Sequence, residues 1–174
     1  MAMIDPTHNM TPGAFEAMYE AYFSRVYNYI YYRVRNAVKA EDLTADVFVR
    51  AFEYRKSYDP DKGGPEAWLS GIARNAVNSY FRKNAGEPPV IELTELLRGP
   101  ADTEDDVIQQ EDRRQLLSLV RKLPKAHQEL LALKYFSRLT NREIAKMTGL
   151  SESNVGTILH RVIEQLRKNF KEIS

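Results

Sequence analysis

Apolar residues recur every three or four positions along most of the chain and collect on one side of a helical projection. Phe15, Met18, Tyr19, Tyr22, Phe23, Val26 and Ile30 form the first stripe, and Thr11-Pro12 supplies a helix start, since proline is tolerated in a first turn. Leu43, Val47, Phe48, Ala51 and Phe52 form the second. The run Asp59-Pro60-Asp61-Lys62-Gly63-Gly64-Pro65 breaks the periodicity and predicts a loop. Trp68, Leu69, Ile72, Ala73, Ala76, Tyr80 and Phe81 resume it as a third helix. These helices predict one small domain over residues 11–85.

From Gly86 to Asp106 the helical face is lost among Pro88, Pro89, Gly99, Pro100 and many acids, which predicts a linker over residues 86–106; Ile91, Leu93, Leu96 and Leu97 give it a few apolar docking points. Periodicity returns over residues 107–174. Leu116, Leu119, Val120 and Leu123 form one stripe, Pro124 opens the next helix, and Leu130, Leu131 and Leu133 point inward. No stretch shows the two-residue alternation of a strand. The expected fold is therefore all-α: two small helical domains joined by an acidic linker.

The sharpest local signal lies in residues 140–168. Thr140-Asn141-Arg142-Glu143 reads as a capping box, in which the hydroxyl and the carboxylate satisfy orphan amides at a helix start. Gly149 ends that short helix, because glycine enters the left-handed region cheaply, and Ser151 caps the next. Val155, Ile158, Leu159, Val162, Leu166 and Phe170 then bury one face of a long final helix. Ser153, Asn154, Thr157, His160 and Arg161 project from the other, and Gly156 offers no side chain there. A recognition helix needs such groups in its first turns, where they enter the major groove. Arg167, Lys168 and Lys171 lie further along and extend the set toward backbone phosphates.

Charge sharpens this picture. Residues 1–86 carry 11 basic and 10 acidic side chains, residues 87–112 carry 1 and 9, and residues 113–174 carry 13 and 5. A C-terminal part of net +8 suits a polyanion. The chain has no cysteine and three scattered histidines, which excludes thiolate catalysis and argues against a His-based metal cluster. No phosphate loop or nucleophile–base pair appears. The expectation is a non-enzymatic, cofactor-free binding protein. With no membrane-length apolar run and no signal-peptide core, the expected location is cytoplasmic.

The stretch Ala40-Glu41-Asp42-Leu43-Thr44-Ala45-Asp46-Val47-Phe48-Val49-Arg50-Ala51-Phe52 resembles region 2.2 of the sigma-70 family of RNA polymerase sigma factors. Tyr58-Asp59-Pro60, Ala67-Trp68-Leu69 and Ile72-Ala73-Arg74-Asn75 resemble regions 2.3 and 2.4 of its extracytoplasmic-function (ECF) group, and Leu123-Pro124 through the final helix resembles region 4. The resemblance implies a subunit that binds core polymerase and directs promoter-specific initiation. Asp42, Asp46, Val49, Arg50 and Glu53 are then expected to meet the clamp helices of the largest subunit; the family usually has Gln where this chain has Ala45. Tyr58, Asp59, Lys62, Trp68, Arg74, Asn75, Asn78 and Arg82 are expected at the melted minus-10 element, where rings stack unpaired bases and cations track the backbone. Trp68 also falls in phase with Leu69 and Ile72, which favours core packing for it. The family commonly has Asp at the position of Asn78. Arg142, Ser153, Asn154, Thr157, His160, Arg161 and Lys168 are expected on the duplex minus-35 element. The resemblance further implies contact with the polymerase flap and restraint by an anti-sigma protein.

The linker fits the same scheme. Its 21 residues reach at most about 70 Å when extended, close to the length of about 20 base pairs. Its carboxylates, Glu104, Asp105 and Asp106 among them, are expected to mimic a nucleic-acid backbone in a basic channel. The competing reading is a stand-alone helix-turn-helix regulator, which leaves the N-terminal domain without a role.

Overall fold

A computed structural model describes residues 10–86 and 106–173. The described residues fold as seven α-helices and one 3-10 turn, with no strand. The expected linker, apart from its first and last residues, lies outside them, as do Ile91, Leu93, Leu96, Leu97, Glu104 and Asp105.

Local chemistry sets the helix ends. In α1 (Pro12–Val34) the Thr11 hydroxyl accepts from the Ala14 amide at 3.1 Å, and Pro12 sits in the first turn. Arg35 then turns left-handed at φ 58°, its amide donating to the Tyr31 carbonyl, and Asn36 caps α2 (Ala37–Glu53) by accepting from the Lys39 amide. Two residues thus reverse the chain. A 3-10 turn (Arg55–Ser57) leads into the predicted loop, and Gly64-Pro65 opens α3 (Pro65–Lys83). The second set comprises α4 (Asp106–Arg121), α5 (Lys125–Tyr135), α6 (Asn141–Thr148) and α7 (Glu152–Ile173).

Helices α1, α2 and α3 pack on one another around Ile30, Val47, Ala51, Leu69 and Val77. Burying a side chain of this size contributes about 1.5–3 kcal/mol. Helices α4 to α7 surround Leu133, Ile144, Val155 and Val162. The two sets also touch, through α1 and α5. This contact explains a departure from the simple stripes. Tyr29, Ile30, Tyr31, Tyr32 and Val34 are all buried, so α1 is enclosed on every side near its end. Four successive residues of α5, Leu130 to Leu133, are buried for the same reason.

The first stripe is covered less than periodicity predicts. Met18, Val26 and Ile30 reach the core, but Tyr19 and Phe23 stay exposed, as does Phe52 of α2. Their rings instead meet along the surface, Tyr19 with Phe23 at 5.2 Å and Phe23 with Tyr27 at 6.5 Å.

Burial pushes the phenols of Tyr22, Tyr29 and Tyr32 up to about 12, and it raises Tyr58 as well. The folded chain therefore keeps protons that the unfolded chain releases near pH 10. Stability from these groups is intact below that value and is lost as the pH climbs toward 12. A phenolate absorbance titration should show these four of the ten tyrosines ionising late in the native chain and at the ordinary value in denaturant. A single native wave near pH 10 would contradict their burial. Thr140→Ala, which removes the α6 cap, should lower stability by about 1 kcal/mol in denaturant melts.

Candidate nucleic-acid and polymerase interfaces

The exposed face of α2 carries Asp42, Asp46, Val49, Arg50 and Glu53, every one of them accessible. The opposite face buries Ala40, Thr44, Val47, Phe48 and Ala51. Thr44 tolerates this because its hydroxyl donates to the Ala40 carbonyl at 2.6 Å. Amphipathic spacing therefore fixes which residues of α2 face outward. A feature that sequence reasoning missed adjoins this face. Phe15, Tyr19 and Phe23 of α1 form an apolar groove with Phe48 and Phe52, and Glu41 and Glu53 line it too. The stripe signal included these rings, but only packing shows that Tyr19, Phe23 and Phe52 stay exposed.

The loop before α3 is tied to itself. The Asp59 carboxylate accepts from the Asp61 amide at 3.0 Å, and its carbonyl accepts from the Lys62 amide at 3.1 Å. Lys62 is exposed and Asp59 half-buried. Tyr58 departs from the picture of a free stacking ring: it is 3% exposed, its hydroxyl donates to the Gly63 carbonyl at 3.3 Å, and its ring lies 5.1 Å from Trp68. Tyr58 thus acts as a pillar under the loop in this arrangement. Trp68 is half-buried, combining packing against Tyr58 with an accessible edge.

Along α3, Asn75 and Arg82 are exposed and Asn78 is half-buried, while Arg82 donates to the Ser79 hydroxyl at 3.0 Å. Arg74 is committed elsewhere. Its guanidinium donates to the Glu129 carboxylate of α5 and, at 3.0 Å, to the Met147 carbonyl of α6.

The helix-turn-helix forms as its punctuation predicts. Thr140 and Glu143 make both bonds of the capping box, and Gly149 is left-handed at φ 77°. The Ser151 hydroxyl accepts from the Asn154 amide at 3.0 Å at the start of α7. Arg142, Ser153, Asn154, Thr157, His160, Arg161 and Lys168 are all exposed. The Thr157 hydroxyl donates to the Ser153 carbonyl at 3.0 Å, which leaves its lone pairs outward. Gly156 is half-buried: a Cβ there would lie 3.5 Å from the side-chain Nδ2 of Asn141, an ordinary contact, so packing within the protein does not demand glycine.

The loop and α6 face each other. Tyr58, Asp59, Lys62 and Trp68 line one wall of a cleft of about 660 Å³, and Arg142 and Lys146 line the other. A second, largely apolar groove of about 530 Å³ runs between α4, α5 and α7, with Leu116, Leu117, Tyr135, Ile163 and Phe170 in its walls. Among the described residues no cluster of side chains could hold a metal ion, and no helix is long and apolar enough to cross a membrane.

Comparison with known proteins agrees with this architecture. The profile for Sigma-70 region 2 matches residues 18–87 and that for Sigma-70 region 4 matches residues 113–166. The chain is 30% identical to the RNA polymerase sigma factor YlaC of Bacillus subtilis, covering 88% of this chain and 90% of that one. It is 31% identical to the ECF RNA polymerase sigma factor BldN of Streptomyces coelicolor, covering 97% of this chain but only 64% of the relative's length. In fold it is similar to the sigma factor RpoE of Bartonella quintana, solved with the anti-sigma factor NepR, at TM-score 0.72 and 16% identity over 90% of this chain and 96% of that one. With both conserved regions in order on an all-helical scaffold, the chain belongs to the sigma-70 family, in its ECF group.

Proposed function

We propose that this chain binds core RNA polymerase in the cytoplasm and directs promoter-specific initiation, with no catalysis of its own. Residues 11–85 serve as region 2, residues 107–174 as region 4, and residues 86–106 as the tether between them. The observation that carries the reading is the presence of two conserved regions with distinct polar faces, on α2 and on α7.

In this reading α2 presents Asp42, Asp46, Val49, Arg50 and Glu53 to the clamp helices of the largest subunit. Two carboxylates one turn apart repel slightly, so a basic partner surface suits them better than isolation. Arg74, Asn75, Asn78 and Arg82 serve the minus-10 element, with Lys62, Asp59 and the accessible edge of Trp68 at the unpaired bases. Opening DNA costs about 1.4 kcal/mol per base-pair step in lost stacking, and capture of splayed bases offsets part of it. Asn154, Arg161 and their neighbours read the minus-35 duplex. The groove of α4, α5 and α7 takes an apolar segment of the polymerase flap. An anti-sigma protein is a further expected partner; relatives of similar fold have been solved with NepR and with the cytosolic domain of CnrY.

Run-off transcription tests the whole reading. Adding the chain to core enzyme should yield initiation at promoters selected from random DNA by the reconstituted holoenzyme; no promoter-specific transcript at all would refute it. Asp42→Lys with Asp46→Lys should weaken core binding by about tenfold or more without changing the melting curve, as expected for exposed charges at an interface. Asn154→Ala should cost about 1–3 kcal/mol of discrimination at one minus-35 position, read by competition between promoter variants, and leave core binding intact.

A further inference from the structure

At the contact between the two helical units, charged and polar groups gather beside the apolar packing of α1 on α5, and one carboxylate holds their centre. Glu129 of α5 pairs with Arg74 of α3 and lies 3.8 Å from Arg33 of α1. The three side chains are mostly withdrawn from water, at 9% exposure for Arg33, 15% for Glu129 and 26% for Arg74. Arg33 also donates to the Tyr29 hydroxyl at 3.2 Å. Around this centre, Arg35 donates to Gln128 at 2.8 Å, and the cations of Arg33 and Lys125 lie 5.6 and 5.5 Å from the Phe81 ring centre. Tyr32 meets Phe136 at 5.0 Å.

Two features of this arrangement go beyond ordinary domain packing. Arg74, assigned above to promoter DNA, makes the contacts to Glu129 and to the Met147 carbonyl that a phosphate would otherwise make. The same contact brings the minus-10 loop and α6 to opposite walls of one cleft. DNA at either wall would have the other unit in its path.

We infer that Glu129 is an intramolecular stand-in for a DNA phosphate, which latches the free chain closed by holding Arg74. The inference rests on the assignment of Arg74 to the promoter. One carboxylate neutralises two guanidiniums here, so its loss leaves Arg33 and Arg74 facing each other without a counter-charge in a poorly solvated seam. Repulsion then favours separation. A phosphate arriving at Arg74 competes directly with Glu129. Latching also lowers apparent DNA affinity by the fraction of molecules that are open.

Glu129→Gln tests the latch, since it keeps shape and removes charge. The cysteine-free full chain accepts spin labels at Glu20→Cys on α1 and Glu172→Cys on α7, both exposed. Pulsed dipolar distances should show one short population in the labelled parent and a broad, longer one in E129Q. Binding of a random-sequence single-stranded 30-mer to the free chain should tighten by about tenfold. Glu16→Gln, at an exposed site on α1, should change neither reading. Identical distances in the parent and E129Q would overturn the latch, and so would opening without tighter DNA binding. Run-off transcription with core enzyme separates the two levels. Failure of the latch leaves wild-type initiation intact, whereas a chain that gives no promoter-specific transcript refutes the sigma assignment whatever the distances show.

Discussion

The enclosure of the end of α1 is the constraint on which the rest of the structure depends. Tyr29, Ile30, Tyr31, Tyr32 and Val34 cover every direction around the helix, and all are buried. A helix apolar on all sides must be surrounded rather than laid on a surface. Here α2, α3 and α5 all pack against it. The first unit is thus completed by the second, and the angle between their working faces follows from how α1 and α5 meet. The two-residue reversal at Arg35-Asn36 adds to this, because it sends α2 back against α1.

Much of the fold is legible in the sequence because its signals are local. Thr11-Pro12, Asn36, Gly64-Pro65, the Thr140–Glu143 box and Gly149 each satisfy or terminate a backbone within a few residues, so their meaning does not depend on distant partners. The outward set on α7 is equally legible, since Val155, Leu159, Val162 and Leu166 fix the buried side and leave Asn154, Thr157 and Arg161 opposite. The outward set on α2 follows in the same way from Val47, Phe48 and Ala51.

What the sequence leaves open is long-range. Helical periodicity marks Tyr19 and Phe23 as apolar, but whether another helix covers them depends on tertiary packing. Tyr58 reads as a ring beside basic residues, and only the closed loop reveals that it supports Trp68 from below. The partner of Arg74 lies 55 residues away in sequence, and no pattern announces it. Charge counting even obscures it, because Glu129 is one of few acids in a strongly basic segment. Its placement beside two guanidiniums shows how a single residue of the minority sign can matter more than the net charge around it.

Trp68 carries a practical consequence. It is the sole tryptophan of the chain, and it stands in the wall of the cleft between the loop and α6, against Tyr58. Its indole emission therefore reports on one place alone. Departure of α6 would wet the ring and shift its spectrum to the red, while a base settling on it would quench it. The native polypeptide thus carries its own optical gauge of cleft occupancy, with no dye attached.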